Sequence, residues 1–141
     1  MRKVFLGDGD GLAAPTETLI AVLEHLRSSF PRFRRASLYA TAANILEKPE
    51  VDLRRLAEQG LSLAYLGLES GADRVLSLVA KGNNAAAALD AARKIISCGW
   101  QLSMIVMLGL GGRELSACHC RETARLVTAS GPHFLSFLAT S

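Results

Sequence analysis

Three glycine-rich stretches hold the side chains best suited to chemistry: Gly7-Asp8-Gly9-Asp10, Glu69-Ser70-Gly71 and Gly109-Leu110-Gly111-Gly112. A dinucleotide fingerprint needs G-x-G-x-x-G opening a helix, with backbone N–H groups turned to a pyrophosphate. Two aspartates in the first stretch would repel that group, so dinucleotide binding is disfavoured. Carboxylates beside exposed backbone suit an ammonium group or a metal ion instead, with a solvated turn as the simpler alternative. The thiols are placed differently: Cys98 stands alone, while Cys118 and Cys120 flank His119. Side chains two apart on a helix point about 200° apart, so Cys118 and Cys120 cannot chelate one ion while the helix holds. They are read as buried or half-buried helix cysteines. His119 is read as a helix-surface side chain, the alternative being that it faces the mouth of the site.

These groups can act together only if the elements between them bring all three stretches to one edge. Apolar runs at residues 4–6, 36–42, 63–68, 102–110 and 133–139 have the form of strands, and the third reads as covered on both faces. Between them, helical spacing runs from Pro15 and Thr16 to a stop at Phe30-Pro31, and over a short segment from Val51 closed by Gly60. It continues over residues 73–80, 85–96 and 115–129, and Trp100 is a packing residue where a strand starts. Strand starts near residues 3, 36, 63, 102 and 133 are one strand, one helix and their loops apart. Five βα repeats of this length predict an α/β fold with a parallel sheet and right-handed crossovers. Ligands of such sheets bind at the carboxyl ends of the strands, where the three glycine stretches fall.

Composition narrows the function classes. Half of the 141 residues are hydrophobic and 21% are charged, which describes a folded domain or part of one rather than a disordered tail. The length is short for a complete barrel. A net charge of +3 with 6% aromatic residues is no nucleic-acid signature. Arg27, Arg32, Arg34 and Arg35, with Phe30 and Phe33 between them, read as a solvated basic loop. An odd number of cysteines argues against a disulfide framework, no signal-peptide pattern opens the chain, and no apolar run is long enough to cross a bilayer. The expected setting is cytoplasmic, without a membrane partner.

Taken together the motifs resemble the radical S-adenosylmethionine (radical SAM) superfamily, and most closely its oxygen-independent coproporphyrinogen oxidase-like branch. The resemblance covers nearly the whole chain. It is carried by residues 5–12, Ser37-Leu38-Tyr39-Ala40-Thr41, residues 65–71 with Lys81-Gly82, and residues 108–112 followed by His119 and Thr123. It implies a partial (β/α) barrel, here about five βα units, with S-adenosylmethionine across the strand ends beside a [4Fe–4S] cluster. By the same resemblance Gly7, Asp8, Gly9 and Asp10 take the methionine amino group, and Glu69 and Ser70 lie near the ribose. Lys81 is available to the methionine carboxylate, the segment from Ile105 to Gly109 packs on the adenine, and Tyr39 belongs to the cofactor-binding set.

One departure matters. The family binds its cluster with C-x-x-x-C-x-x-C after the first barrel strand, and that spacing does not occur in this sequence. Counted against the family, residues 1–141 correspond to strands two to six, a single core domain fragment whose cluster-binding segment would precede Met1. The complete form would be an oxidoreductase-type enzyme that makes a 5′-deoxyadenosyl radical for hydrogen abstraction. The chain alone is expected to bind neither cofactor stably and to be inactive. A non-enzymatic α/β binding or scaffold module is the alternative.

A parallel sheet without its first strand leaves backbone groups and an apolar face open at Val4-Phe5-Leu6, an edge that invites pairing. The purified chain is therefore expected to self-associate in sedimentation velocity, and a monodisperse monomer with a cooperative melt would count against a missing strand.

Overall fold

The computed structural model describes every residue except Asp8, Ala80, Lys81, Asn83, Thr140 and Ser141. Its strands are β1 (Lys3–Leu6), β2 (Arg35–Ala40), β3 (Leu61–Glu69), β4 (Gln101–Leu108) and β5 (Phe134–Ala139). All neighbours pair in parallel, and the order across the sheet is the order along the chain. Each connection is a helical crossover: α1 (Thr16–Ser29), then α2 (Ala42–Glu47) with α3 (Glu50–Glu58), then α4 (Asp73–Val79) with α5 (Ala85–Ser97), then α6 (Gly112–Ser130). The fold is the α/β partial barrel that the five repeats imply.

Strand periodicity divides the sheet into two unlike faces. Ala36, Leu38 and Ala40 of β2, Ala64, Leu66 and Leu68 of β3, and Leu102, Met104 and Val106 of β4 are buried on the helix-covered side. There they join Leu19 and Leu23 of α1, Leu53 and Leu56 of α3, and the alanine face of α5 in one core. Trp100 packs at the start of β4, and its indole N–H donates to the Leu53 carbonyl at 2.8 Å. Arg55 ties α3 to Glu17 of α1 at 2.8 Å, and by hydrogen bond and charge it holds the Glu17 carboxyl below its usual range. Both groups are solvent-exposed, so the tie adds little.

The opposite face is concave. Its lower part is filled: Arg35 reaches across β3 to Gln101 at 2.7 Å, and Leu63 and Ser103 are buried. Its upper part is open, with Tyr65 half-buried and Gly67 exposed, so β3 is not covered on both faces as the unbroken apolar run suggested. The run is apolar because Tyr65 and its neighbours face other aromatic rings rather than a second layer of helices. Phe5, Tyr39 and Tyr65 stand edge to face there, with centroids 5.0 to 6.0 Å apart.

Several boundaries differ from those expected. β2 stops at Ala40 rather than at residue 42, because the Thr41 hydroxyl accepts from the Asn44 N–H at 3.2 Å and opens α2, a helix that sequence spacing did not suggest. β4 stops at Leu108, where a turn closed from Gly112 N–H to the Gly109 carbonyl leads directly into α6. At the other edge every residue of β5 is exposed, Phe134, Leu135, Phe137 and Leu138 among them. The apolar edge expected at β1 thus has a larger counterpart at β5. Among the described residues no helix is long and apolar enough to cross a membrane.

Ile45 of α2 is fully buried and anchors the short helix that carries Asn44. Ile45→Ala is expected to lower unfolding free energy by about 2 to 5 kcal/mol in urea titration.

Candidate functional site at the carboxyl ends of the strands

A pocket of about 630 Å³ lies at the carboxyl ends of the strands. Gly9 and Thr41 from the β1 and β2 ends, Tyr39 of β2, Tyr65 and Glu69 of β3 and Ile105 of β4 line it. Topology accounts for this convergence, because parallel strands with helical crossovers send every strand-to-helix turn to the same edge.

At the β1 side, Asp10 precedes a 3₁₀ turn, Gly11–Ala13. Its Oδ2 accepts from the Thr41 hydroxyl at 2.9 Å and from the Asn44 side-chain amide. Thr41 therefore does two jobs, capping α2 and tethering Asp10. The other carboxylate oxygen, Oδ1, is buried and has no partner among the described residues. A buried acceptor left in this state is costly unless a donor is supplied, and the amino group of an amino-acid-like ligand is such a donor.

On the β3 side the backbone is unusual. Gly67 pairs with Ile105 but Glu69 pairs with Val106, so one extra residue bulges from β3. Glu69 has φ +63°, alone among the described non-glycine residues in being positive. The Ser70 N–H donates to the Leu68 carbonyl at 2.7 Å across it. That is a three-residue turn of the rare, strained γ type. It turns the Glu69 carboxylate back over Gly67, where a Cβ would lie 3.2 Å from Oε1. The missing side chain at Gly67 leaves the carboxylate room in the pocket wall.

The predicted site residues separate into three groups. Gly9, Tyr39, Glu69 and Ile105 line the pocket, and Asp10 is joined to it through Thr41. Gly7 and Gly109 are exposed and are not in its wall. Asp8 and Lys81 lie outside the described residues. Ser70, expected beside Glu69 near a ribose, is fully buried and bonded to His119 at 2.7 Å, which places it in the scaffold rather than in the wall. His119 itself is buried, contrary to the helix-surface reading, because α6 turns it inward onto the β3–α4 turn. Thr41, Asn44 and Met107 were not anticipated. The Thr41-x-x-Asn44 spacing is an N-cap signal that could have found the first two.

The thiols do not converge. Cys98 is buried just after α5, at the opposite edge of the sheet from the pocket. Cys118 is half-buried, and Cys120 is exposed rather than buried or half-buried. Among the described residues no three His, Cys, Asp or Glu side chains are grouped to hold a metal ion. These residues do not fit a [4Fe–4S] cluster, whereas the orphaned Asp10 oxygen and the Glu69 carboxylate fit the polar groups of S-adenosylmethionine.

With that geometry in view, solved structures of similar fold can be compared. The chain superposes on coproporphyrinogen III oxidase (HemN) from Escherichia coli, a radical SAM enzyme, with TM-score 0.79, 15% identity, and coverage of 100% of this chain and 32% of HemN. For the archaeal Elp3 of Methanocaldococcus infernus the values are 0.75, 13%, 98% and 36%. For methylornithine synthase (PylB) they are 0.70, 11%, 97% and 38%. The fold is that of solved radical SAM enzymes. The chain spans about a third of the length of each. The sequence matches no family model and no curated protein.

Anaerobic reconstitution with iron and sulfide is expected to leave these 141 residues without a stoichiometric cluster. Incorporation abolished by Cys118→Ser or Cys120→Ser would contradict the placement of the thiols.

Proposed function

We propose that the pocket at the carboxyl ends of β1 to β4 binds S-adenosylmethionine, and that the chain is part of a radical SAM enzyme of the coproporphyrinogen oxidase-like branch. In this reading residues 1–141 form one core domain, strands two to six of the family barrel. The observation that carries the proposal is Glu69, a carboxylate held over the pocket by a bulge and a γ-turn. A carboxylate there accepts from both ribose hydroxyls. The free Asp10 oxygen accepts from the methionine ammonium, Lys81 balances its carboxylate, and the backbone at Ile105 lies along the adenine. Tyr39 and Tyr65 supply an apolar floor that keeps water from the ligand's middle.

The three thiols among these residues do not converge on a cluster site, so the reading assigns this chain the binding of S-adenosylmethionine and not the radical-forming step. Hydrogen abstraction from a substrate is the reaction class such an enzyme would carry. A second reading, a binding module that takes the adenosyl ligand without a cluster, is favoured by the separation of the three thiols.

Calorimetric titration with S-adenosylmethionine and S-adenosylhomocysteine, at equal folded fraction by circular dichroism, tests the site. Glu69→Ala is expected to weaken binding roughly ten- to a hundredfold, the worth of charge-assisted hydrogen bonds, with little change in melting. Unchanged affinity with a lowered melting temperature would assign Glu69 to the scaffold, and a wild-type chain without even the weak, residual affinity for either ligand that these residues alone would retain would reject the site.

A further inference from the structure

Three consecutive backbone N–H groups follow Glu69, and each has a defined acceptor. Ser70 N–H donates to the Leu68 carbonyl at 2.7 Å, Gly71 N–H to the Thr123 hydroxyl at 2.9 Å, and Ala72 N–H to the Ser70 hydroxyl at 3.0 Å. The two hydroxyls have each accepted a backbone N–H and have one proton left to donate. Both face the same atom, His119 Nδ1, at 2.7 Å from Ser70 and 3.5 Å from Thr123. Ser70, His119 and Thr123 are all buried. His119 and Thr123 are four apart on α6 and so share a face of the helix.

We infer that His119 is a positioning residue: its Nδ1, acting as an acceptor, locks the β3–α4 turn through Ser70 and so holds Glu69 in the conformation that presents its carboxylate to the pocket. A γ-turn with a positive φ at a non-glycine residue is unstable on its own and persists only where its surroundings fix it. The surroundings here are the two α6 side chains and the α6 backbone, against which Gly71 is pressed. A Cβ on Gly71 would lie 2.5 Å from the Glu122 carbonyl oxygen and 2.6 Å from the Thr123 Cα. The turn therefore cannot shift toward α6, and the hydrogen bonds stop it from moving away. For Nδ1 to accept, the ring proton must sit on Nε2. His119 also lines a second groove of about 400 Å³ between α6 and the strands β4 and β5.

The inference rests on the proposal that Glu69 belongs to a ligand site, and its test separates the two. The intraresidue HN–Hα NOE of Glu69, strong when φ is positive, is measured on the labelled full chain together with calorimetric affinity for S-adenosylhomocysteine. His119→Leu and Ser70→Ala are expected to lose the strong NOE and to weaken binding at least about tenfold. His119→Asn, whose Oδ1 can stand where Nδ1 stood, is expected to keep both. Should His119→Leu fail to fold, Ser70→Ala removes a single oxygen and carries the same comparison. A folded His119→Leu or Ser70→Ala chain that keeps the strong NOE and the affinity overturns the inference, as does loss of both in His119→Asn. If wild type binds no S-adenosylhomocysteine, the ligand proposal fails, and the NOE still decides whether His119 sets the turn.

Discussion

At Gly71 the backbone of the β3–α4 turn approaches the backbone of α6 too closely for any side chain to fit between them. This contact joins the end of the central strand to the longest helix. It fixes where α6 crosses the sheet, which brings His119 and Thr123 onto the turn rather than into solvent. It also fixes the direction in which the chain leaves β3, and so the orientation of Glu69. Buried hydroxyls and a buried imidazole would each be costly alone. Here they satisfy one another and two backbone donors, the N–H groups of Gly71 and Ala72, so the polar cluster specifies one geometry instead of weakening the core.

The one-sided arrangement of helices explains why a site exists at this edge. With strand order equal to chain order, every crossover packs on the same face, and the core forms there. The concave face is left with aromatic rings, Gly67 and the ends of the turns. Its base is closed by Arg35 and Gln101 and by buried Leu63 and Ser103, while its mouth stays open. An apolar floor with a few polar groups at the rim is the usual form of a small-molecule pocket.

Much of the architecture was legible in the sequence because βα repeats write themselves in the alternation of apolar runs and helical spacing. The strand starts, α1, α5 and the parallel order could all be read this way. What could not be read depended on contacts distant in sequence. Residues 41 and 42 read as strand because two alanines continue an apolar run, and only the Thr41 cap and its bond to Asp10, 31 residues away, show that the chain turns there. His119 read as a surface residue of a helix, while its actual partner, Ser70, is 49 residues upstream and out of reach of any local pattern. The place of Glu69 at the end of a strand was legible, whereas its positive φ was not, since nothing in a glutamate announces a left-handed turn. Ser70 was misplaced for the same reason: the sequence puts it beside Glu69, and the turn sends the two side chains to opposite sides of the layer.

The two carboxylates of the site are held in opposite ways, and in the proposed reading that difference suits them to different groups of the ligand. Asp10 is gripped by its side chain, with one oxygen bound to Thr41 and Asn44 and the other buried without a partner among the described residues, so in the proposed reading it offers a ligand a single acceptor in a fixed place. Glu69 is gripped by its backbone, through the bulge, the γ-turn and the α6 clamp, and its carboxylate lies in the pocket wall. A fixed single acceptor suits a compact ammonium group that needs one strong partner. A carboxylate with both oxygens available suits a pair of adjacent hydroxyls, because it accepts from each without either hydroxyl giving up its own acceptor sites. The rings of Tyr39 and Tyr65 lie in the floor of the same pocket. In the proposed reading, a ligand that satisfies both carboxylates carries a cation at one end and a vicinal diol at the other, joined by a less polar middle.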